Sequence, residues 1–339
     1  MRKTYLIGTA LGLVLGSAAV ALAATLDDVK ARGTLKCGIN TGLAGFAAPD
    51  ADGKWAGFDV DFCYALAAAV LGDAEKVEFT PTTTETRFTP LASGEIDVLS
   101  RNTTWTFSRD VDLKFTFAGV TYYDGQGFMV SKDLGVASAE ELDGATVCIQ
   151  TGTTTELNLA DWFKSHGIAY RPVPIATNAE ANQQFQAGAC DAFTTDASQL
   201  AASRSTYETP DDWIILPEII SKEPLGPLVR QGDDQWADIV RWTLNALVAA
   251  EEYGVTAANA DELAGSSENP EIRRLLGTEG GLGAMLGLEN DWALQAIKAR
   301  GNYGEIFAAN IGEDTPSNIA RGLNAQWSDG GLIFSPPFR

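Results

Sequence analysis

Basic and hydroxyl side chains are concentrated in residues 94–109, which read GEIDVLSRNTTWTFSR. Gly94 ends an apolar-periodic segment that predicts a helix, and the apolar run 96–99 has the length of a buried strand. The polar residues that follow this run are Ser100, Arg101, Asn102, Thr103, Thr104 and then Arg109. Because ligands of open α/β sheets bind beyond the carboxyl ends of the strands, this position favours a binding site. An arginine fork beside hydroxyl groups suits a carboxylate.

A weaker copy of this arrangement lies in residues 182–196, NQQFQAGACDAFTTD. An apolar-spaced helix ends at Gly188, a short strand follows, and Thr194, Thr195 and Asp196 close the segment. One half of the chain therefore offers a cation and the other an anion, which is the division that a zwitterion held between two lobes requires. Ordinary strand ends with solvated polar residues would explain both segments equally well.

Alternating strands and helices place both segments in α/β units. In the first half, the patterns predict helices at 26–32, 59–70 and 87–93 and strands at 35–39, 77–79 and 96–99; residues 80–86 have the composition of a loop, and Asp59 or Asp61 is expected to cap the second helix. A second set begins with a strand at 146–149 and a helix from Thr153, where exposed amides favour an anion. This order predicts mostly parallel sheets.

The chain is expected to leave the first lobe near 123–127 and to return near 217–220. A helical pattern over 235–254 then rejoins the first lobe. The predicted organisation is a signal peptide at 1–23, a discontinuous first lobe at 24–125 plus 218–267, a second lobe at 126–217, and an extension at 268–339 packed on a lobe.

Composition bounds the class of protein. The 339 residues are 45% hydrophobic, enough for one or two sizeable cores. Arg2 and Lys3, an apolar run and Ala21-Leu22-Ala23 predict a secretory signal cleaved after Ala23, and hence export. The net charge is −21, and −23 without the signal, which argues against nucleic acid or anionic lipid as a partner.

All four cysteines lie in the part predicted to be exported, where disulfides are permitted. Four cysteines allow three pairings. Cys37 and Cys63 flank one strand-to-helix unit, and Cys148 and Cys190 fall on two short strands of the later unit. We therefore predict Cys37–Cys63 and Cys148–Cys190. Their spacing does not suit a metal or redox site, and no cofactor is expected.

Four segments in this order resemble the type II periplasmic solute-binding proteins that supply amino acids to ABC importers, in particular the general L-amino-acid-binding proteins. They are GFDVDF at 57–62, the block SGEIDVL to Arg109, TGTTTEL at 151–157 and GACDAFTTD at 188–196. The resemblance covers about residues 33–255. It implies two α/β lobes, joined by a two-strand hinge, that close over an amino acid.

Carried over by position, the resemblance assigns the α-carboxylate to Arg109, with Thr104 and the backbone and hydroxyl of Thr154. It assigns the α-ammonium to Asp196 with Asn102. The remaining candidates are Arg87 and Arg101 near the ligand side chain, both of which solvated surface charges would also explain, together with Thr151 and Asn40. Asn40 and Leu43 stand where relatives often carry an aspartate and an aromatic residue.

The resemblance implies a monomeric, non-catalytic binding protein that captures polar and acidic L-amino acids, such as glutamate, glutamine and aspartate, for a membrane permease. A dehydratase-type enzyme on the same fold is the alternative. The only histidine, His166, precedes Gly167 in a pattern typical of an exposed helix end, which does not favour acid–base catalysis. A receptor sensor would need a membrane tether, which the sequence beyond the signal does not predict.

Overall fold

The computed structural model describes residues 24–339, and the predicted signal peptide lies outside the described residues. The strands are β1 (Leu35–Asn40), β2 (Ala48–Pro49), β3 (Trp55–Ala56), β4 (Val77–Thr82), β5 (Val98–Leu99), β6 (Phe115–Phe117), β7 (Tyr122–Asp124), β8 (Gln126–Ser131), β9 (Ala145–Gln150), β10 (Tyr170–Ile175), β11 (Ala192–Asp196), β12 (Trp213–Ile215), β13 (Glu223–Leu225) and β14 (Leu228–Arg230). The α-helices are α1 (Thr25–Arg32), α2 (Phe58–Leu71), α3 (Phe88–Ser93), α4 (Thr154–His166), α5 (Asn178–Gln186), α6 (Ala197–Arg204), α7 (Asp234–Glu252), α8 (Ala260–Ser266), α9 (Pro270–Leu275), α10 (Leu282–Leu286), α11 (Trp292–Arg300) and α12 (Tyr303–Asn310).

Two five-stranded sheets form the two lobes, in the orders β4-β1-β5-β14-β6 and β10-β9-β11-β8-β12. In each sheet four strands share one direction, and β14 or β8 runs against them. The prediction of two α/β lobes with mostly parallel sheets is therefore confirmed. The carboxyl ends of β1 and β5 in one sheet and of β9 and β11 in the other carry the polar segments singled out in the sequence.

The crossing between the lobes is the antiparallel pair β7 and β13, in which Glu223 lies opposite Asp124. The outward strand is β7, at Tyr122–Asp124, and the return strand is β13, at Glu223–Leu225, a few residues after the predicted 217–220. Leu216 is buried in the core of the second lobe and Ile220 packs against the same core, so the chain remains in that lobe until β13. β4 also extends to Thr82, into residues predicted as a loop, because it pairs with β1 along six residues.

The chain after β13 passes the hinge so closely that it requires a glycine. A Cβ atom on Gly226 would lie 1.9 Å from the carbonyl oxygen of Gly119, a backbone atom that cannot move aside as a flexible side chain could. The Gly226 amide donates to the Thr103 carbonyl at 3.1 Å, which ties β13 to the segment after β5. A side chain at this position would separate the hinge from the first lobe.

We therefore expect Gly226→Ala to destabilise the protein by about 2 kcal/mol, as overpacking of a close contact does. The matched control is Gly265→Ala, because no atom lies within 4 Å of that Cβ position on α8, and alanine favours the helix. Urea unfolding should show a lowered midpoint for the first variant and an unchanged or raised one for the second. Equal midpoints would contradict the close approach.

Both predicted disulfides are confirmed. The Cα–Cα distances are 6.3 Å for Cys37–Cys63 and 5.5 Å for Cys148–Cys190, within bridging range. The first joins β1 to α2, and the second joins β9 to the turn before β11. Each therefore fixes a strand whose carboxyl end reaches the cleft.

Residues 268–339 pack on the first lobe, and α2 shows why. This helix is buried on nearly every side. One face packs on β1 and its neighbours, and α11 of the extension covers the opposite face. Asn324 reaches the hinge and hydrogen-bonds both the amide of Tyr123, at 2.6 Å, and its carbonyl, at 3.1 Å. The extension thus supports the core and the outward hinge strand together. Between residues 24 and 339, the structure contains no helix with the length and hydropathy of a membrane span.

Candidate functional site

A narrow cavity of ≈ 20 Å³ lies between the two lobes at the carboxyl ends of their strands. Its lining is almost entirely polar and comes from both lobes: Thr84, Arg87, Arg101, Asn102, Thr104, Gln150, Thr153, Thr154, Thr155, Thr195, Asp196 and Gln199. The lining suits a small ligand that is charged at more than one end.

The cationic wall consists of Arg87, at the start of α3, and Arg101, just after β5. Each side chain is only 3% exposed, so neither is a solvated surface charge. Arg101 Nε donates to the Thr82 carbonyl at 3.1 Å, whereas Arg87 Nε is buried without a hydrogen-bond partner among residues 24–339. Burial lowers the pKa of Arg87 well below its usual value, and the charges of Arg101 and Arg109 lower it further. An anion in the cavity would satisfy this group.

The anionic wall consists of Asp196, the last residue of β11. It is buried and its side chain makes no capping hydrogen bond to the following helix α6. Burial raises the pKa of its carboxyl well above the usual value, and the nearby carboxylates Asp124 and Glu223 raise it further against the opposing effect of Arg87 and Arg109. A cation placed beside Asp196 would favour its ionised form.

A second buried carboxylate, Asp59, stands behind the cationic wall. It lies in the first turn of α2, which begins at Phe58, so it does not cap the helix as predicted. Its Oδ2 accepts from the backbone amide of Asn102 at 2.9 Å. Burial raises its pKa to about 7, against the lowering effects of that hydrogen bond and of Arg101. In turn, burial lowers the pKa of Arg101 to about 10, although Asp59 opposes the shift.

This raised pKa predicts how stability depends on pH. The folded protein holds a proton on Asp59 up to about pH 7, whereas the unfolded chain loses it near 3.8, so the folded state binds more protons in this window. Stability is therefore lost as the pH rises from about 4 through 7. We expect Asp59→Asn, which can still accept from Asn102, to flatten this decline in the ligand-free protein. Thermal unfolding from pH 4.5 to 8 would show it, and parallel curves for both proteins would contradict it.

The predicted site residues fall into two groups. Arg87, Arg101, Asn102, Thr104, Thr154 and Asp196 line the cavity. Arg109 lies behind them in a π-helical turn at Ser108–Asp112, 7% exposed, where its Nη1 donates to the Thr104 carbonyl at 2.8 Å. Burial lowers the pKa of Arg109, and the carboxylates of Glu223 and Asp196 oppose this shift.

Asn40 and Thr151 lie beside the cavity and join the lobes. Asn40 Oδ1 accepts from Asn178 of the second lobe at 3.1 Å, and its amide donates to Asn102 at 3.1 Å. The Thr151 hydroxyl donates to Glu85 at 2.8 Å, and its carbonyl accepts from Thr84 at 2.9 Å. These contacts hold the lobes closed over the cavity.

Several residues of the site were not predicted. Gln199 Nε2 donates to Gln150 Oε1 at 2.8 Å and to Asn178 Oδ1 at 2.9 Å, forming an amide network at the second lobe. Gln150 ends β9, so the rule that ligands bind at carboxyl strand ends could have found it. Gln199 lies inside a helix and gives no sequence signal. Glu223, on the hinge, is also buried beside the cavity.

Comparisons with known proteins agree on one family. A sequence model of the bacterial extracellular solute-binding proteins, family 3, matches residues 35–258. The chain is 64% identical, over the full length of both, to the glutamate/glutamine/aspartate/asparagine-binding protein BztA of Rhodobacter capsulatus. It is 60% identical to the general L-amino acid-binding periplasmic protein AapJ of Rhizobium johnstonii, over 99% of this chain and 100% of the relative.

Among solved structures, the chain is similar to an ABC transporter / periplasmic binding protein from Brucella ovis with glutathione bound. The TM-score is 0.91 at 57% sequence identity, over 94% of this chain and 100% of the other.

Proposed function

Because the chain belongs to the bacterial extracellular solute-binding proteins of family 3, we propose that it captures L-amino acids between its lobes and delivers them to an ABC permease. The observation that carries the proposal is the opposition of charges across one small cavity, with Arg87 and Arg101 on the first lobe and Asp196 on the second. Neither lobe alone can enclose a zwitterion, so binding requires closure.

We place the α-ammonium beside Asp196, the only carboxylate in the lining of the cavity that the described residues form. We assign the α-carboxylate to the backbone amide of Thr154 at the start of α4, where helix geometry favours an anion. The family resemblance adds Arg109, which lies behind the lining and hydrogen-bonds the carbonyl of the lining residue Thr104. The side chain then extends toward Arg87 and Arg101. Two guanidinium groups there suit glutamate and aspartate, and the neighbouring amides suit glutamine and asparagine, in agreement with the ligands that name BztA.

The proposal extends to location and assembly. The relatives named periplasmic support cleavage of residues 1–23 and export to the periplasm of a Gram-negative bacterium. There the protein acts as a monomer that docks on membrane permease subunits. It is a carrier and not an enzyme, so incubation with its ligands should release them chemically unchanged.

Mass spectrometry of the small molecule that copurifies with the protein tests the proposal. We expect an L-amino acid, in a ratio approaching one per chain, and no dehydrated product after prolonged incubation. Glutathione belongs in the ligand panel, since its γ-glutamyl end carries the same α-ammonium and α-carboxylate. A folded protein whose melting temperature responds to no amino acid and to no glutathione would contradict the proposal.

A further inference from the structure

The hinge strand β13 contributes a buried carboxylate whose hydrogen bonds join both lobes. Glu223 is 1% exposed, and its Oε2 accepts from the hydroxyls of Thr104, at 2.6 Å, and Thr154, at 2.9 Å. Its Oε1 accepts from Asn158 Nδ2 at 2.7 Å and from the Ser221 hydroxyl at 2.6 Å. Thr104 belongs to the first lobe and Thr154 to the second, so one carboxylate contacts both lobes when they are closed.

Local structure explains why Glu223 reaches this position. Residues 103–105 run beside β13, since the Trp105 amide donates to the Pro224 carbonyl at 2.8 Å and the Gly226 amide donates to the Thr103 carbonyl. The Thr104 side chain is thereby placed next to Glu223. Thr154 and Asn158 are one turn apart on α4 and present their polar groups to the same carboxylate.

The proton count of these hydroxyls decides what they can offer a ligand. A threonine hydroxyl has one proton and two lone pairs, and an ionised carboxylate only accepts. The two hydroxyl oxygens also lie 3.4 Å from each other, but the shorter contacts to Glu223 take both protons. Neither hydroxyl then has a proton left for the cavity that both residues line. They present lone pairs there. A ligand carboxylate would find no donor in these hydroxyls, whereas an ammonium group would find acceptors.

We propose that Glu223 is a positioning residue that fixes the Thr104 and Thr154 hydroxyls as acceptors and so completes, with Asp196, a three-acceptor site for the ligand's ammonium group. An α-ammonium has three N–H donors, which match the two hydroxyl lone pairs and the Asp196 carboxylate. This inference rests on the proposed function and refines it, because it moves these two hydroxyls from the carboxylate end of the ligand to the ammonium end.

The test compares two ligands that differ only at this group: L-glutamate, and (S)-2-hydroxyglutarate, which carries a hydroxyl in place of the ammonium. Calorimetry and competition against L-glutamate give both affinities for the full mature protein and for Glu223→Gln. With glutamine, an amide N–H₂ replaces one oxygen, and the threonine hydroxyls are free to turn their protons into the cavity. We expect L-glutamate to lose at least about tenfold in affinity and the hydroxy acid less than about threefold.

Two further variants keep the result interpretable. Glu223→Met removes both carboxylate oxygens and should reduce the preference for L-glutamate over the hydroxy acid in the same way. Glu218→Gln is the control. Glu218 is a carboxylate of the second lobe five residues before Glu223, and it accepts from the Ala139 amide instead of from a residue that lines the cavity. Its substitution should leave both affinities unchanged.

Equal losses for the two ligands would show that Glu223 only supports the hinge, and unchanged affinities would show that it has no role; either overturns the inference. The hydroxy acid could fail to displace L-glutamate from every variant. In that case a double-mutant cycle of Glu223→Gln and Thr104→Val, measured by L-glutamate affinity, decides. Additive losses from the two substitutions would also overturn the inference. Failure of the wild type to bind any amino acid would instead overturn the proposed function.

Discussion

We expect Asp196→Asn to weaken the binding of every L-amino acid about a hundredfold or more. All these ligands share the α-ammonium, and Asp196 is the charged group of the second lobe that faces it. Breaking a buried ion pair leaves the remaining charge desolvated, at a cost of about 3–5 kcal/mol. The asparagine side chain keeps the shape of the aspartate, so the loss reports the charge.

Calorimetry with glutamate, glutamine and alanine measures the effect. Asp161→Asn is the matched control. Asp161 is an exposed residue of α4, so its substitution removes the same charge from the same lobe at a position away from the cavity. Retained affinity in Asp196→Asn would remove Asp196 from the site. A loss confined to one ligand would show that it contacts side chains instead.

The second large effect concerns Arg87 and is selective. We expect Arg87→Met to weaken glutamate about a hundredfold, since each hydrogen bond to a charged group contributes about 1.5–3 kcal/mol and a guanidinium can make two to a carboxylate. Glutamine should bind as well as before or more tightly. A neutral side chain gives the buried Arg87 no opposite charge, so removal of the cation costs little.

The ratio of the two affinities is the measured quantity, and Arg171→Met, at an exposed arginine of the second lobe, serves as the control. Equal losses for glutamate and glutamine would show that Arg87 supports the cavity wall without selecting the ligand side chain. In that event Arg101, which also lines the cavity, would be the remaining candidate for the side-chain carboxylate.

The parts of the fold that follow local patterns could be predicted from the sequence. The strand before Arg101 and the strand that ends at Asp196 both show an apolar run followed by polar residues, and both carboxyl ends reach the cavity. The disulfides followed from the placement of Cys37 and Cys63 on one strand-to-helix unit and of Cys148 and Cys190 by two strands of the second lobe. The polar segments were recognisable because a binding site at strand ends is itself a local feature.

The remaining parts depend on contacts between distant segments. Glu223 pairs with Asp124 and reaches Thr104, 119 residues earlier in the chain, so its role has no local signature. Gln199 joins the site only because α6 faces the amides of Gln150 and Asn178. The burial of Arg101 was equally hidden, since an arginine after a strand looks the same in sequence whether it meets water or the buried Thr82 carbonyl.

The central claim is that one L-amino acid binds between the cationic and anionic walls, and a calorimetric titration of L-glutamate tests it most directly. The protein should first be unfolded, dialysed and refolded to remove any copurified ligand. We predict saturable heat with one site per chain, no comparable heat for Asp196→Asn, and selective loss in Arg87→Met. A folded, ligand-free wild type that gives only the heat of dilution with glutamate, glutamine, aspartate and asparagine would contradict the claim.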